Sequence, residues 1–472
     1  MDKIPTRIRN LDKILAGGLP AGRSTVIIGK PGTGKTMLAM EFLARNAAHG
    51  LPGLFLSFEE HPGRLRDNFA SFDWGLADSQ QKGDLVLYHS DLPHVAIANG
   101  QINIDGLLAI LQSHLDKGIK LLAIDSIDVL LGLFEPEQDS KVLLRLQEWL
   151  RENGVTAVFT AKGDEQNLQQ YGYLSYVADC VIHLDQRMAE QVRTRRLQVI
   201  KYRGSNFLSN EHPFVFTQKG MAFLPVNSVV YTGSSSQQRI STGVAGLDKS
   251  LDGGLHKGST TLIAGPTGSG KTSLAAQFAV SAAARGQKTL MISYEESYDD
   301  LQNRMEGIGI DIQRCRQQGT LDVMNLVPEA KGVDEHLIDA VDRIESLRAE
   351  HLILDPVSAL VRMGSGAAAF DFMIRLLGFC RSGGVTTLLT QDVAGDRIKP
   401  SLSGRGVSPL VDSIIRLRYR EVDLRLHREL VVVKSRGSSH SHAYHGLGVG
   451  SQGLSVWPID GPDSRDSEAS RS

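Results

Sequence analysis

Short β-branched apolar runs alternate along this chain with Ala/Leu-rich stretches of helical period. STVIIG (24–29) and TTLIAG (260–265) are too short for helices, suit a pleated surface and close on glycine. After a glycine-rich loop, each leads into a helical pattern, at 36–50 and 272–286, that stops at another glycine. The next apolar runs are GLFLSFEE (53–60) and KTLMISYEE (288–296). Then come LLAIDS (121–126) and HLILDP (351–356), both reaching an aspartate. GVTAVFTA and GVTTLLTQ follow helical stretches in turn. Continuous apolar runs separated by helices predict an α/β fold with mostly parallel central sheets. VIHLD and RRLQVIK, and later SIIRLRYR and LHRELVVVK, read as antiparallel strands added at one edge.

The pattern occurs twice. Residues 4–36 and 240–272 align without a gap at an offset of 236. Leu11-Asp12-Lys13 matches Leu247-Asp248-Lys249, Gly17-Gly18-Leu19 matches Gly253-Gly254-Leu255, and Phe58-Glu59-Glu60 matches Tyr294-Glu295-Glu296. After small insertions, Lys201-Tyr202-Arg203-Gly204 answers Lys434-Ser435-Arg436-Gly437. So long a period means a duplicated domain and not a solenoid. The expected domains are 1–235 and 236–458, joined at the polar stretch Thr232–Gln238, with a disordered tail at 459–472.

Composition narrows the function classes. The chain has 472 residues and a net charge of −2, from 51 Lys+Arg and 53 Asp+Glu, so no broad basic surface for nucleic acid is expected. Cys180, Cys315 and Cys380 are too far apart for a disulfide framework or a short metal-ligand pair. No apolar run reaches the ~18 residues of a membrane span. The scattered cysteines fit a reducing, cytoplasmic location, and the opening MDKIPTRIRNLDKIL has no signal-peptide core.

The strongest chemical signal is a pair of phosphate loops. Gly29-Lys30-Pro31-Gly32-Thr33-Gly34-Lys35-Thr36 and Gly265-Pro266-Thr267-Gly268-Ser269-Gly270-Lys271-Thr272 both fit G-x4-G-K-[ST]. Such a loop wraps a phosphate chain with backbone N–H groups, and the helix that follows adds its dipole. Gly29, Gly32, Thr33, Gly34, Lys35 and Thr36 are therefore expected to bind a nucleotide's phosphates, as are Gly265, Thr267, Gly268, Ser269, Gly270, Lys271 and Thr272. Thr36 and Thr272 would ligate Mg²⁺, with strand-end Asp125 and Asp355 as the carboxylates. Glu59-Glu60 and Glu295-Glu296 lie at strand ends beside the loops, where a carboxylate can polarise water or a hydroxyl. Glu60 and Glu296 are the preferred bases. In Lys201/Arg203 and Lys434/Arg436, alternate residues of a strand can aim two cations at one phosphate group, in the manner of an arginine finger. His440, His442 and His445 stand among Gly and Ser and read as a polar turn, not a metal site.

Together the double domain, the GLD…GGL approach to each loop, the paired glutamates and the K-x-R-G segments resemble the RecA-like KaiC family over nearly the whole chain. The resemblance implies two tandem RecA-like P-loop domains, assembled as a double-ring homohexamer with ATP between subunits. It implies an N-terminal ATPase tier and a C-terminal autokinase tier. Lys201, Arg203, Lys434 and Arg436 would contact the neighbouring subunit's nucleotide, and KaiB-like or other signalling proteins would be partners. The family's clock members phosphorylate an adjacent Ser-Thr pair. Here the matching stretch is Gly406–Ile414, with Ser408 at the serine position and Pro409, which has no hydroxyl, at the threonine position. A two-site cycle is therefore chemically closed, and Ser408 is the candidate phosphoacceptor. The expected role is a diverged signalling or clock-related ATPase. The alternatives are a nucleotide-gated scaffold without kinase activity, and a DNA-associated ATPase. The candidate channel segments 161–175 and 392–409 carry too few cations to favour the latter.

Overall fold

The computed structural model describes residues 1–90, 104–134, 139–163, 172–189, 192–225, 236–393, 401–402, 405–406 and 408–459. The chain divides into two compact units, Met1–Ser228 and Val229–Ser472. Most of the expected junction, and the tail from 460, lie outside the described residues.

Among the described residues each unit is built on a nine-stranded sheet. In the first unit the strands are β1 (Ser24–Gly29), β2 (Gly53–Ser57), β3 (Leu85–His89), β4 (Leu121–Asp125), β5 (Thr156–Lys162), β6 (Cys180–Ala189), β7 (Val192–Tyr202), β8 (His212–Thr217) and β9 (Gly220–Phe223). Their spatial order is β9-β8-β7-β6-β1-β5-β4-β2-β3. In the second unit they are β10 (Thr260–Gly265), β11 (Thr289–Ser293), β12 (Leu321–Asn325), β13 (His351–Asp355), β14 (Thr386–Asp392), β15 (Ser413–Val422), β16 (Arg425–Ser435), β17 (His445–Gly450) and β18 (Gly453–Pro458), in the order β12-β11-β13-β14-β10-β15-β16-β17-β18.

Alternation along β1 explains its uninterrupted apolar sequence. Ile27 faces one core with Leu38 and Phe42 of helix Lys35–Ala47. Val26 and Ile28 face the other, with Leu107 and Leu111 of helix Ile104–Leu115 and Leu143 and Leu146 of helix Asp139–Glu152. The phosphate-loop strand thus lies in the middle layer, covered on both faces.

The reading of VIHLD and SIIRLRYR as edge strands needs correction. Both lie inside their sheets. β6 pairs parallel with β1, and β15 pairs parallel with β10. Antiparallel pairing begins one strand further out, at β7 and β16. Val181–Leu184 are all buried, as a strand between two partners and two covered faces requires.

The repeated GLD and GGL segments have a structural role. Asp12 accepts from the Thr6 amide and hydroxyl, both at 2.7 Å. Asp248 accepts from the Thr242 amide at 2.7 Å and its hydroxyl at 2.6 Å. Gly18 and Gly254 have φ of 130° and 111°, and a Cβ there would sit 2.1 Å from the Ile4 carbonyl oxygen or 2.3 Å from that of Ile240. Only glycine permits the two-stranded pairings Lys3–Ile4 with Leu19–Pro20 and Arg239–Ile240 with Leu255–His256. Asp248→Ala leaves several donors without their carboxylate. It is expected to destabilise the second unit by about 2 kcal/mol, read from chemical denaturation.

Candidate nucleotide-binding sites

In both units the loop runs from the C-terminal end of the central strand into a helix that begins at the loop lysine, Lys35–Ala47 or Lys271–Ala284. Gly34 and Gly270 precede these helices with φ of 101° and 102°. At Gly32, φ is 79° and a Cβ would meet nothing within 4 Å, so the loop presents bare backbone to open space. The Ser269 hydroxyl is buried and has no partner among the described residues. A cradle of this kind fits a polyphosphate.

Lys35 Nζ donates to the carbonyl oxygens of Gly29 at 2.7 Å and Lys30 at 3.1 Å. Lys271 Nζ does the same to Gly265 at 3.0 Å and Pro266 at 2.9 Å. Burial lowers the Lys35 pKa, and the charge of Asp125 opposes the shift. Thr36 donates to Asp125 at 3.0 Å, and Thr272 donates to Asp355 at 3.2 Å. Thr160 of β5 and Thr390 of β14 donate a second hydroxyl to the same aspartates. Burial raises the pKa of both carboxylates, while these threonine hydrogen bonds pull the other way. A hydroxyl beside a carboxylate is the oxygen donor set that suits Mg²⁺.

The glutamate pairs differ between the units. Glu59 Oε1 pairs with Lys162 Nζ at 2.8 Å, and Glu60 accepts from Asn68 Nδ2 at 2.9 Å. Glu296 pairs with Arg304 at 2.6 Å. Among the described residues no hydrogen bond or ion pair engages the Glu295 carboxylate. Its pKa is raised by burial and by the neighbouring charge of Asp392. Lys271, Thr272, Glu295, Glu296, Asp355 and Asp392 line one cavity of about 300 Å³.

The structure does not bring the cation pairs to their own loops. Lys201 is level with Val26, three residues back from Gly29, and Lys434 is level with Leu262, three back from Gly265. At strand spacing that is about 10 Å along the sheet and, two strands across, about 10 Å sideways. Lys201 donates to the carbonyls of Tyr176 at 2.9 Å and Ala178 at 2.7 Å, and Arg203 donates to that of Tyr176 at 2.8 Å. Lys434 donates to Val411 O at 2.7 Å, and Arg436 lies 3.9 Å from Asp412. Ser408 opens the short turn Ser408–Leu410 just ahead of β15, at that same sheet end, and its side chain lies outside the described residues. His445 sits in β17, with Nε2 against the Ser250 hydroxyl at 3.1 Å and Nδ1 against the Ala443 carbonyl at 3.0 Å.

Sequence reasoning missed Thr160, Thr390, Lys162, Asp392, Asn68 and Arg304. The threonines left a signal, because both halves read G-V-T-x3-T at this strand. Among the described residues no helix is long and apolar enough to cross a membrane.

Comparison with known proteins agrees with this geometry. A family model described as the ATPase KaiC matches residues 4–228 and again 240–461. The chain is 35% identical to the circadian clock protein KaiC2 of Synechocystis sp., over 93% of this chain and 78% of that protein. It is 31% identical to KaiC3 of the same organism, over 97% and 92% of the two chains. It is also 31% identical to the circadian clock oscillator protein KaiC of Synechococcus elongatus, over 98% and 89%. Two tandem ATPase units, each with a complete phosphate loop on a mostly parallel sheet, place this chain in the KaiC family.

Proposed function

We propose that the chain hydrolyses ATP with Mg²⁺ at both loops and autophosphorylates Ser408, as a double-ring homohexamer in cytoplasmic signalling or clock-related regulation. The observation that carries this reading is the placement of both cation pairs and of the Ser408 turn. They lie at the opposite sheet end from their own phosphate loop. They are wrongly placed for that nucleotide, which supports the reading that they serve one held by the next subunit of a ring.

Within a site, the loop amides and lysine hold the phosphates, and the threonine–aspartate pair would hold the metal. Bound Mg²⁺ would neutralise charge developing on the transferred phosphoryl group. Asp125 and Asp355 are oriented by two threonines each, which fixes their oxygens before any ligand arrives. A glutamate of each pair accepts the proton of the attacking water or, in the second unit, of the Ser408 hydroxyl. In the second unit Glu295 is better suited than Glu296, because Arg304 already holds Glu296. The two functional domains are taken as 1–235 and 236–458, a few residues off the boundary between the compact units. Signalling proteins, KaiB-like ones among them, are the expected partners, and nucleic acid is not.

Incubation with γ-labelled ATP and Mg²⁺, followed by peptide mapping, tests the kinase reading. Label is expected on Ser408 and is expected to vanish in Ser408→Ala. Hydrolysis without protein label would remove the kinase and leave a nucleotide-gated ATPase scaffold.

A further inference from the structure

β5 and β14 flank the phosphate-loop strands in the same register, which sets Lys162 level with Gly29 and Asp392 level with Gly265. The same place beside the two loops therefore carries opposite charges. In the first unit Lys162 neutralises Glu59. In the second, Asp392 Oδ1 lies 2.7 Å from Lys271 Nζ, whose side chain is only 7% exposed. Ser358 donates to Asp392 Oδ2 at 3.2 Å, and Thr267 of the loop donates to Oδ1 at 3.4 Å, so the carboxylate is fixed. Glu295, Glu296, Asp355 and Arg304 line the same cavity. Arg304 is committed to Glu296, where the first unit has Asn68 on Glu60.

We infer that Lys162 and Asp392 set how far each loop depends on a divalent cation to hold a nucleoside triphosphate. Lys162, although shared with Glu59, adds a second cation beside the phosphates, so the first loop retains the nucleotide without metal. Asp392 holds the loop lysine and repels a bare polyphosphate, so the second loop admits the nucleotide as its metal complex. The inference rests on the ATP-binding reading above. One fixed charge beside a phosphate in an open, solvated cavity changes affinity by about tenfold.

The test uses full-length chains with one loop silenced, Lys35→Ala to report on the second loop and Lys271→Ala to report on the first. A fluorescent ATP analogue is titrated in Mg²⁺ and in EDTA. EDTA is expected to weaken the second loop about tenfold more than the first. Asp392→Asn in the Lys35→Ala chain is expected to tighten binding about tenfold in EDTA and far less in Mg²⁺. Lys162→Gln in the Lys271→Ala chain is expected to weaken it about tenfold in EDTA. If Asp392→Asn fails to fold, the exposed Lys162 pair carries the test. Equal cation dependence at the two loops, or a Lys162→Gln effect of the same size in both media, overturns the inference while ATP binding stands. No binding at either loop with Mg²⁺ present overturns the ATP reading and the inference with it.

Discussion

Glu295→Gln is expected to lower ATP turnover at the second loop by about 10²–10³-fold, the usual worth of a positioned general base. The measurement is single-turnover hydrolysis in a Lys35→Ala chain, so that the first loop contributes nothing. Glu295 lines the cavity with Lys271 and Thr272, and no partner among the described residues holds its carboxylate. Burial and the charge of Asp392 raise its pKa, which brings it closer to neutral pH and makes it a better proton acceptor than an ordinary surface glutamate. Burial raises the Glu296 pKa as well, but Arg304, 2.6 Å away, opposes that shift and already holds the carboxylate. Glu296→Gln is expected to act through the loosened Arg304, with a fall of about tenfold or less. The reverse ranking would return the base to Glu296, the residue favoured from sequence.

Asp355→Asn is expected to raise the stability of the nucleotide-free second unit while removing its activity. Burial dominates the Asp355 shift and pushes its pKa up. A folded-state pKa above the unfolded one means that the folded chain holds the proton more tightly. The stability this confers is full below the unfolded value and is lost as pH rises through the folded value. At neutral pH the charged carboxylate therefore weighs against the fold. Asparagine keeps the shape and can still accept from a threonine, so a gain of about 1 kcal/mol at pH 7 is expected in chemical denaturation. The gain should shrink as the pH falls towards about 4, where the wild-type carboxyl is itself neutral. If Asp355 holds Mg²⁺ as proposed, hydrolysis at the second loop should fall by about 10³-fold. A destabilised variant at pH 7, or one that still hydrolyses ATP, contradicts this account of Asp355.

The duplicated architecture was legible because its signals are local. A glycine loop between an apolar run and a helix depends only on neighbouring residues, and so does an aspartate closing a strand. The glutamates were legible as a pair, but not their partners. Lys162 reaches Glu59 across 103 residues of sequence, and Thr390 reaches Asp355 across 35. Strand register decides such contacts, and insertions between the halves shift the numbering without shifting the register. For the same reason the sequence of VIHLD does not reveal its interior place in the sheet. Its apolar run fits an interior strand, but only the pairing with β1 shows that it is one. In sequence Asp12 and Gly18 are only part of the repeated approach to the loop; in the fold one caps a loop and the other makes room for a carbonyl.

β10 carries the phosphate loop at Gly265. At its other end, the Thr260 carbonyl accepts from the Asp412 amide at 2.8 Å, and the Thr260 amide donates to the Asp412 carboxylate at 2.9 Å. Asp412 lies just ahead of β15 and also faces Arg436. If Lys434 and Arg436 serve the next subunit's ATP, this six-residue strand is the direct link between two active sites. A lesion at its glycine end would then be suffered by the subunit that carries it, and one at its threonine end by the neighbour. In a mixed ring, two chains each defective at a different end could restore one sound site between them.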